Sequence, residues 1–372
     1  MKLDNNQQAF FALVRAGLWE KDVCLSQFGE VDYEAILRLA EEQSIIGLVS
    51  ADLEHVKDIK VPKNVALQFV GQALQLEQQN KAMNSFVAEL VGKLRLADIY
   101  ALLLKGQGVA QCYERPLWRS CGDVDLLLSD ENYQRAKAFL IPSATDVEPE
   151  GAYEKHLGMT IYNWVVELHG SLRSGLSSRI DKGLDAVRDS IFYGGNVRSW
   201  SNRNTVVFQP SAENDAIYIF THVLQHFFKG GIGLRQICDW TRLLWTYRDS
   251  MKLVEVEKQL KDMRLMSEWK AFGAFAVDYL GMPQMAMPYY SADRMWSRKA
   301  DRISCFILEV GNFGHNRDMS YYGEKPYIVR KVISMGRRIS DLFRHAKIIP
   351  LDSLRFFPRI VYNGLKSAAN GE

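Results

Sequence analysis

The stretch Leu103-Leu104-Lys105-Gly106-Gln107-Gly108, followed fifteen residues after Gly108 by Asp123-Val124-Asp125, constrains this chain more than any other part of it. An apolar run ends in a glycine turn, and a second apolar run carries two acids spaced by two. In a strand, residues i and i+2 point to the same face, so Asp123 and Asp125 project together. A carboxylate pair on one face is expensive unless positive charge sits between the two groups. Hard divalent cations such as magnesium take carboxylate oxygens at such places, usually beside substrate phosphates. The spacing therefore points to metal-assisted chemistry on a phosphorylated substrate.

The surrounding pattern divides into three parts. Residues 1–98 read as a helical region: Phe10, Phe11, Leu13, Val14 and Leu18 recur at helical spacing, and a long helix-forming pattern follows Pro62. Residues 99–210 read as an α/β core. Tyr100–Leu104 and Val124–Leu128 are short apolar runs bounded by turn residues, as buried strands are. Between them Gly108–Tyr113 reads as a short helix, and Ser129 or Asp130 caps another that runs to about Leu140. One or two strands are expected over 157–169, and a hairpin from about 195 to 209. Residues 211–372 read as a C-terminal helical domain with its clearest interruption at Gly281–Pro288. The fold class is thus α+β and predominantly helical, a small mixed β-sheet core between helical flanks.

Within Trp164–His169, Glu167 lies between apolar neighbours, an odd place for a charge in a buried strand. Alternation puts Val165, Glu167 and His169 on one face. If this strand lies beside the one carrying Asp123 and Asp125, three carboxylates converge and can hold two metal ions, which activate an attacking oxygen and stabilise a leaving pyrophosphate. Gly106 and Gly108 allow close backbone approach, the helix after them offers N–H groups to phosphates, and Lys105 adds a point charge. Arg119 can pair with phosphate or with an acid of the site. There is no Gly-x-x-x-x-Gly-Lys-[Ser/Thr] segment, which disfavours a P-loop.

With 372 residues, the chain exceeds the size at which one core usually stops growing. A formal net charge of +2 gives no global argument for nucleic acid or acidic partners. Five widely spaced cysteines without a Cys-x-x-Cys argue against a disulfide framework and fit a reducing cytoplasm. The N-terminal segment lacks the pattern of a signal peptide, and no apolar run reaches the roughly 18 residues a spanning helix needs. The expected location is cytoplasmic.

The combination resembles the nucleotidyltransferase superfamily typified by DNA polymerase β. More closely, Leu-Leu-Lys-Gly106 … Tyr113 … Pro116-Leu-Trp-Arg119 … Gly122-Asp123-Val-Asp125-Leu-Leu-Leu is similar to the bacterial group known as uncharacterised nucleotidyltransferases. Glu167-Leu168-His169, His222-x-x-x-His226 and Leu234-Arg235-x-x-x-Asp239-Trp240 resemble that group's later motifs. The resemblance implies that Asp123, Asp125 and Glu167 are catalytic metal ligands for Mg2+, as two ions, with Mn2+ as an alternative. It makes Glu167 a candidate base for the incoming hydroxyl. It implies an NTP substrate held by Lys105, Gly106, Gln107, Gly108, Arg119, His169 and His222, and an acceptor it does not identify. One departure is plain: Lys105-Gly106-Gln107 stands where the wider superfamily has Gly-Ser or Gly-Gly. Two alternatives accompany this reading, a catalytically silent nucleotide- or partner-binding protein on the same fold and an RNA-modifying nucleotidyltransferase.

Two later segments remain. Ser211 to about Lys229 is amphipathic, with Tyr218, His222, Gln225 and Lys229 opposite its apolar face. His222 and His226 have metal-ligand spacing but no glutamate between them, so this is not a zincin motif. Arg235 and Asp239, one turn apart, are placed to pair with each other. Residues 325–372 hold ten Lys or Arg against three acids. That basic helical region can touch nucleic acid or an anionic membrane surface, although a solvated basic face balancing acids elsewhere is the preferred reading.

Overall fold

The computed structural model describes residues 3–151, 155–312 and 326–369. The chain opens with α1 (Asn5–Trp19), whose N-terminus is closed by a capping box between Asp4 and Gln7. Asp32 caps α2 (Tyr33–Glu42), α3 (Ile46–Asp52) follows, and then comes the 34-residue α4 (Lys63–Leu96). Among the described residues of this first part no sheet strand occurs, as the helical periodicity predicts.

The strands begin with β1 (Ala101–Leu104) and β2 (Asp123–Leu128), separated by the short α5 (Gly106–Ala110). Ser129 caps α6 (Asp130–Leu140). Next come β3 (Ala144–Val147), β4 (His156–Ile161) and β5 (Trp164–His169), then α7 (Ser178–Phe192), then the hairpin of β6 (Val197–Asn202) and β7 (Thr205–Pro210). All seven form one mixed sheet in the order β3-β4-β5-β2-β1-β7-β6. The 157–169 segment is a β4–β5 hairpin, and the 195–209 hairpin joins the same sheet through a parallel contact of β7 with β1.

One expectation needs correction, and one strand is added. The helix after β1 starts at Gly106 rather than Gly108 and ends at Ala110, too short to act as a dipole. The strand β3 has no sequence signature because it is a largely exposed sheet edge, Ala-Thr-Asp-Val, with no apolar alternation to announce it.

The helical remainder comprises α8 (Ala212–Lys229), α9 (Leu234–Thr246), α10 (Leu253–Asp262), α11 (Met266–Asp278), α12 (Arg294–Val310), α13 (Tyr327–Ala346) and α14 (Pro350–Ala369). Among the described residues no helix is long and apolar enough to cross a membrane. Arg330, Arg337, Arg338, Arg344 and Arg355 of the basic segment lie on α13 and α14; Lys325 lies outside the described residues.

Alternation on β2 explains how the sheet is covered. Val124, Leu126 and Leu128 join Met83, Phe86 and Leu90 of α4 in one core. Leu127, with Leu102 and Leu104 of β1, points the other way into a larger core shared by α1 and α8 to α12. A strand buried on both faces reads as a continuous apolar run, and β2 does, apart from two acids. Asp123 and Asp125 share the parity of Leu127, so they face the helical core and open a cleft between the sheet and helices α8 and α9.

Candidate active site

The sheet wall of the cleft is set by a tight turn. Lys105 has φ 44° and ψ −139°, followed by Gly106 at φ 43°. For a lysine this is costly, of order 1–3 kcal/mol, and the surrounding packing has to hold it. The turn folds the lysine back over β2, where its Nζ lies 3.0 Å from Asp125 Oδ1. β2 and β5 run parallel in a register that places Asp125 directly beside Glu167. Donor oxygens of Asp123, Asp125 and Glu167 all lie within 4.8 Å of one another. His169 sends Nε2 to 2.8 Å from Asp125 Oδ1 and 3.5 Å from Glu167 Oε2. On β4, His156 pairs across the hairpin with His169, and its Nε2 is 3.1 Å from the same Glu167 oxygen.

Crowding sets the proton affinities. The charge of Asp125, with burial added, pushes the Asp123 carboxyl above the usual range, and Lys105 only partly offsets this. Glu167 goes the opposite way. Burial alone would raise it, but hydrogen bonds from His156 and His169 hold it far below the carboxylate range. Burial would lower His169, and its bonds to Asp125 and Glu167 raise it instead. Lys105 is likewise held cationic: burial opposes the charge, and Asp125 with neighbouring acidic groups outweighs burial.

The helix wall is built differently. Arg119, in the loop before β2, makes a two-pronged ion pair with Asp239 of α9, Nε to Oδ1 at 3.0 Å and Nη2 to Oδ2 at 2.5 Å. The Tyr113 hydroxyl donates to the same carboxylate at 2.8 Å. This corrects one expectation: Asp239 pairs with Arg119 rather than with Arg235, its neighbour one turn away. Arg235 instead donates from Nη1 to the Ser120 carbonyl at 3.2 Å, and its buried Nε has no hydrogen-bond partner. On α8, His222 and His226 bond to each other, Nε2 to Nε2 at 3.0 Å. Burial, then the nearby Lys105 charge, brings His226 down to about 4 and His222 well below its ordinary range. The two rings face the cleft as neutral imidazoles.

Between the walls lies a space of about 420 Å³, within the range of small-ligand sites. Of the residues singled out from sequence, Lys105, Gly106, Arg119, Asp123, Asp125, Glu167, His169 and His222 line it. Gln107 and Gly108 are not among the lining residues. The Gln107 amide is buried and donates to Asn80 Oδ1 at 2.7 Å, and a Cβ on Gly108 would press on the Gln209 side chain at 3.1 Å. The lining residues beyond that set include His156, Arg173, Tyr218 and Arg235. His156 sits one residue before the expected strand, and only the register of the hairpin reveals it. Arg235 is legible as a cation, but its one-turn spacing from Asp239 points to the wrong partner.

A helix-flanked mixed sheet whose glycine turn faces an Asp-x-Asp strand and an in-register third acid is the architecture of the nucleotidyltransferase fold. A family model described as uncharacterised nucleotidyltransferase matches residues 29–281, and the chain belongs to that family. Among solved structures, an antigenic nucleotidyltransferase-like protein from Paracoccidioides brasiliensis aligns with 14% identity over 48% of this chain and 86% of that one, at a TM-score of 0.31. No curated protein sequence matches the chain.

Proposed function

We propose that the protein is a Mg2+-dependent nucleotidyltransferase that moves a nucleoside monophosphate from an NTP to an acceptor hydroxyl or phosphate. The observation that carries this reading is the set of three carboxylates, donor oxygens within 4.8 Å, facing the incompletely bonded Arg235 across one cleft. The donor set fits a hard divalent ion: all three are oxygen ligands, and their mutual repulsion, visible in the raised Asp123, is what a dication relieves. Asp123, Asp125 and Glu167 would hold the metal; bound there, it would polarise phosphoryl oxygens and ease deprotonation of the acceptor.

The chain's own groups have separate tasks. Arg235 and Lys105 supply positive charge to the phosphates, and the turn at Gly106 admits the chain of phosphates close to the backbone. His156 and His169 keep Glu167 ionised and oriented. In the reaction the acceptor oxygen bonds to the α-phosphorus. The bond from that phosphorus to the α–β bridging oxygen breaks, and its electron pair leaves with pyrophosphate. The acceptor proton passes to a carboxylate of the cleft or to water.

One observation favours a second reading, a protein that binds NTP without turning it over: Lys105 already pairs with Asp125. A thermal-shift series with Mg2+ and each NTP, followed by incubation of labelled NTPs with cell extract, separates the two. The first reading expects a Mg-NTP shift abolished in Asp123→Ala and Asp125→Ala, and label in an acceptor. A shift without transferred label supports the second, label in RNA identifies the acceptor as nucleic acid, and no shift with any NTP sinks both.

A further inference from the structure

We propose that His156, Glu167 and His169 form a second cation site, selective for a borderline transition ion such as Zn2+ rather than for Mg2+. Two imidazole nitrogens from adjacent strands converge on one carboxylate oxygen, Glu167 Oε2, at 3.1 Å from His156 and 3.5 Å from His169. All three donor atoms lie within 4.8 Å of one another. Metal–ligand bonds of about 2.0–2.2 Å place neighbouring donors roughly 3.0–3.5 Å apart, so the two short edges already have coordination dimensions. The scaffold is rigid: His156 and His169 are directly paired residues of the β4–β5 hairpin.

The site is also reachable. The side chains of His156 and Glu167 are 31% and 27% exposed, and all three residues line the cleft. Two histidines and one carboxylate on one side leave the remaining coordination positions open toward that space, as in facial-triad centres. Nitrogen donors select against magnesium, which prefers oxygen ligands and gives up water reluctantly. Plain hydrogen bonding to Glu167 would need only one of the two rings. Occupancy would ask His169 to exchange its bond with Asp125 for one with the metal, leaving Lys105 on that carboxylate. Glu167 belongs to both donor sets, so it can bridge the two sites or be contested between them.

The proposal goes beyond the transfer reaction and is tested without nucleotide. Chelator-treated protein is titrated with Co2+, followed by its visible absorption, and with Zn2+ and Mg2+ in calorimetry. One Co2+ per chain is expected, with Zn2+ much tighter than Mg2+. His156→Ala and His156→Gln should each weaken Co2+ and Zn2+ by at least about tenfold. Glutamine keeps a hydrogen-bond donor for Glu167, so it separates ligation from positioning, and circular dichroism of each variant checks the fold. Asp123→Asn should retain Co2+. Unchanged Co2+ affinity in His156→Gln, whatever His156→Ala does, would overturn the proposal, because His156 would then position Glu167 rather than bind the ion. So would loss of Co2+ in Asp123→Asn with retention in His156→Ala, because the ion would then sit on the carboxylates.

Discussion

On the sheet wall of the cleft, Asp125 is held by Lys105 and His169, and Glu167 by His156 and His169, all at 2.8 to 3.5 Å. On the helix wall, the acid Asp239 is taken up by Arg119 and Tyr113, the two histidines bond to each other, and Arg235 faces the cleft with an unbonded Nε. One wall therefore concentrates negative charge and locks it in place, while the other has its acid neutralised and keeps a cation in reserve. On the proposed function, that asymmetry suits a metal–polyphosphate complex, with the metal on the carboxylates and the phosphates between Lys105 and Arg235.

The contrast can be broken at its hinge. Arg119 comes from the sheet side and Asp239 from α9, and both are buried. Arg119→Ala leaves the buried Asp239 carboxylate without its ion-pair partner and should cost about 3–5 kcal/mol in urea unfolding, the largest effect expected.

Proton linkage tests the same contrast, with opposite signs on the two walls. His226 is lowered to about 4, so between about pH 6.5 and 4 the unfolded chain takes up a proton that the folded chain refuses. Stability falls as pH drops through that window, by up to about 3 kcal/mol for this group, and His226→Gln should flatten the acid limb of a stability–pH curve. His169 is raised, so its contribution is fully present below its unfolded pKa and is lost as pH rises through the folded one. His169→Gln should therefore flatten the limb on the alkaline side instead.

Arg235→Met sharpens the assignment of the helix wall. Burial and the nearby Arg119 disfavour this cation, so its removal should leave the urea midpoint unchanged or raised. NTP affinity in calorimetry should fall by about 10- to 100-fold, the size of lost charge-assisted hydrogen bonds. The smallest effect is expected at the turn: Gly106→Ala, at φ 43°, should cost about 1 kcal/mol in urea unfolding.

What could be read in advance follows from which contacts are local. β1 and β2 are legible because each is a short apolar run bounded by turn residues, and alternation puts Glu167 and His169 on one face of β5; that β5 lies beside β2 and sets Asp125 next to Glu167 comes only from the sheet. The Arg119–Asp239 pair spans 120 residues and joins two segments that carry no mutual signal, so local spacing suggested Arg235 instead. Gln107 and Gly108 stand in the glycine turn and so look like phosphate contacts; burial against Asn80 and Gln209 becomes apparent only when α4 and β7 are in place.

The parallel seam between β2 and β5 has a further consequence for how the protein is made. β1–β2 and β4–β5 are antiparallel pairs of strands consecutive in the chain, one delivering Lys105, Asp123 and Asp125, the other His156, Glu167 and His169. The seam that joins them links residues such as Asp125 and His169, 44 positions apart, and non-local pairings of this kind are slow to form. Each half-site can thus exist on the nascent chain before the whole does. On the proposed function, sensitivity to added Mg2+ during refolding would mark the arrival of the second half, because the three carboxylates come from both.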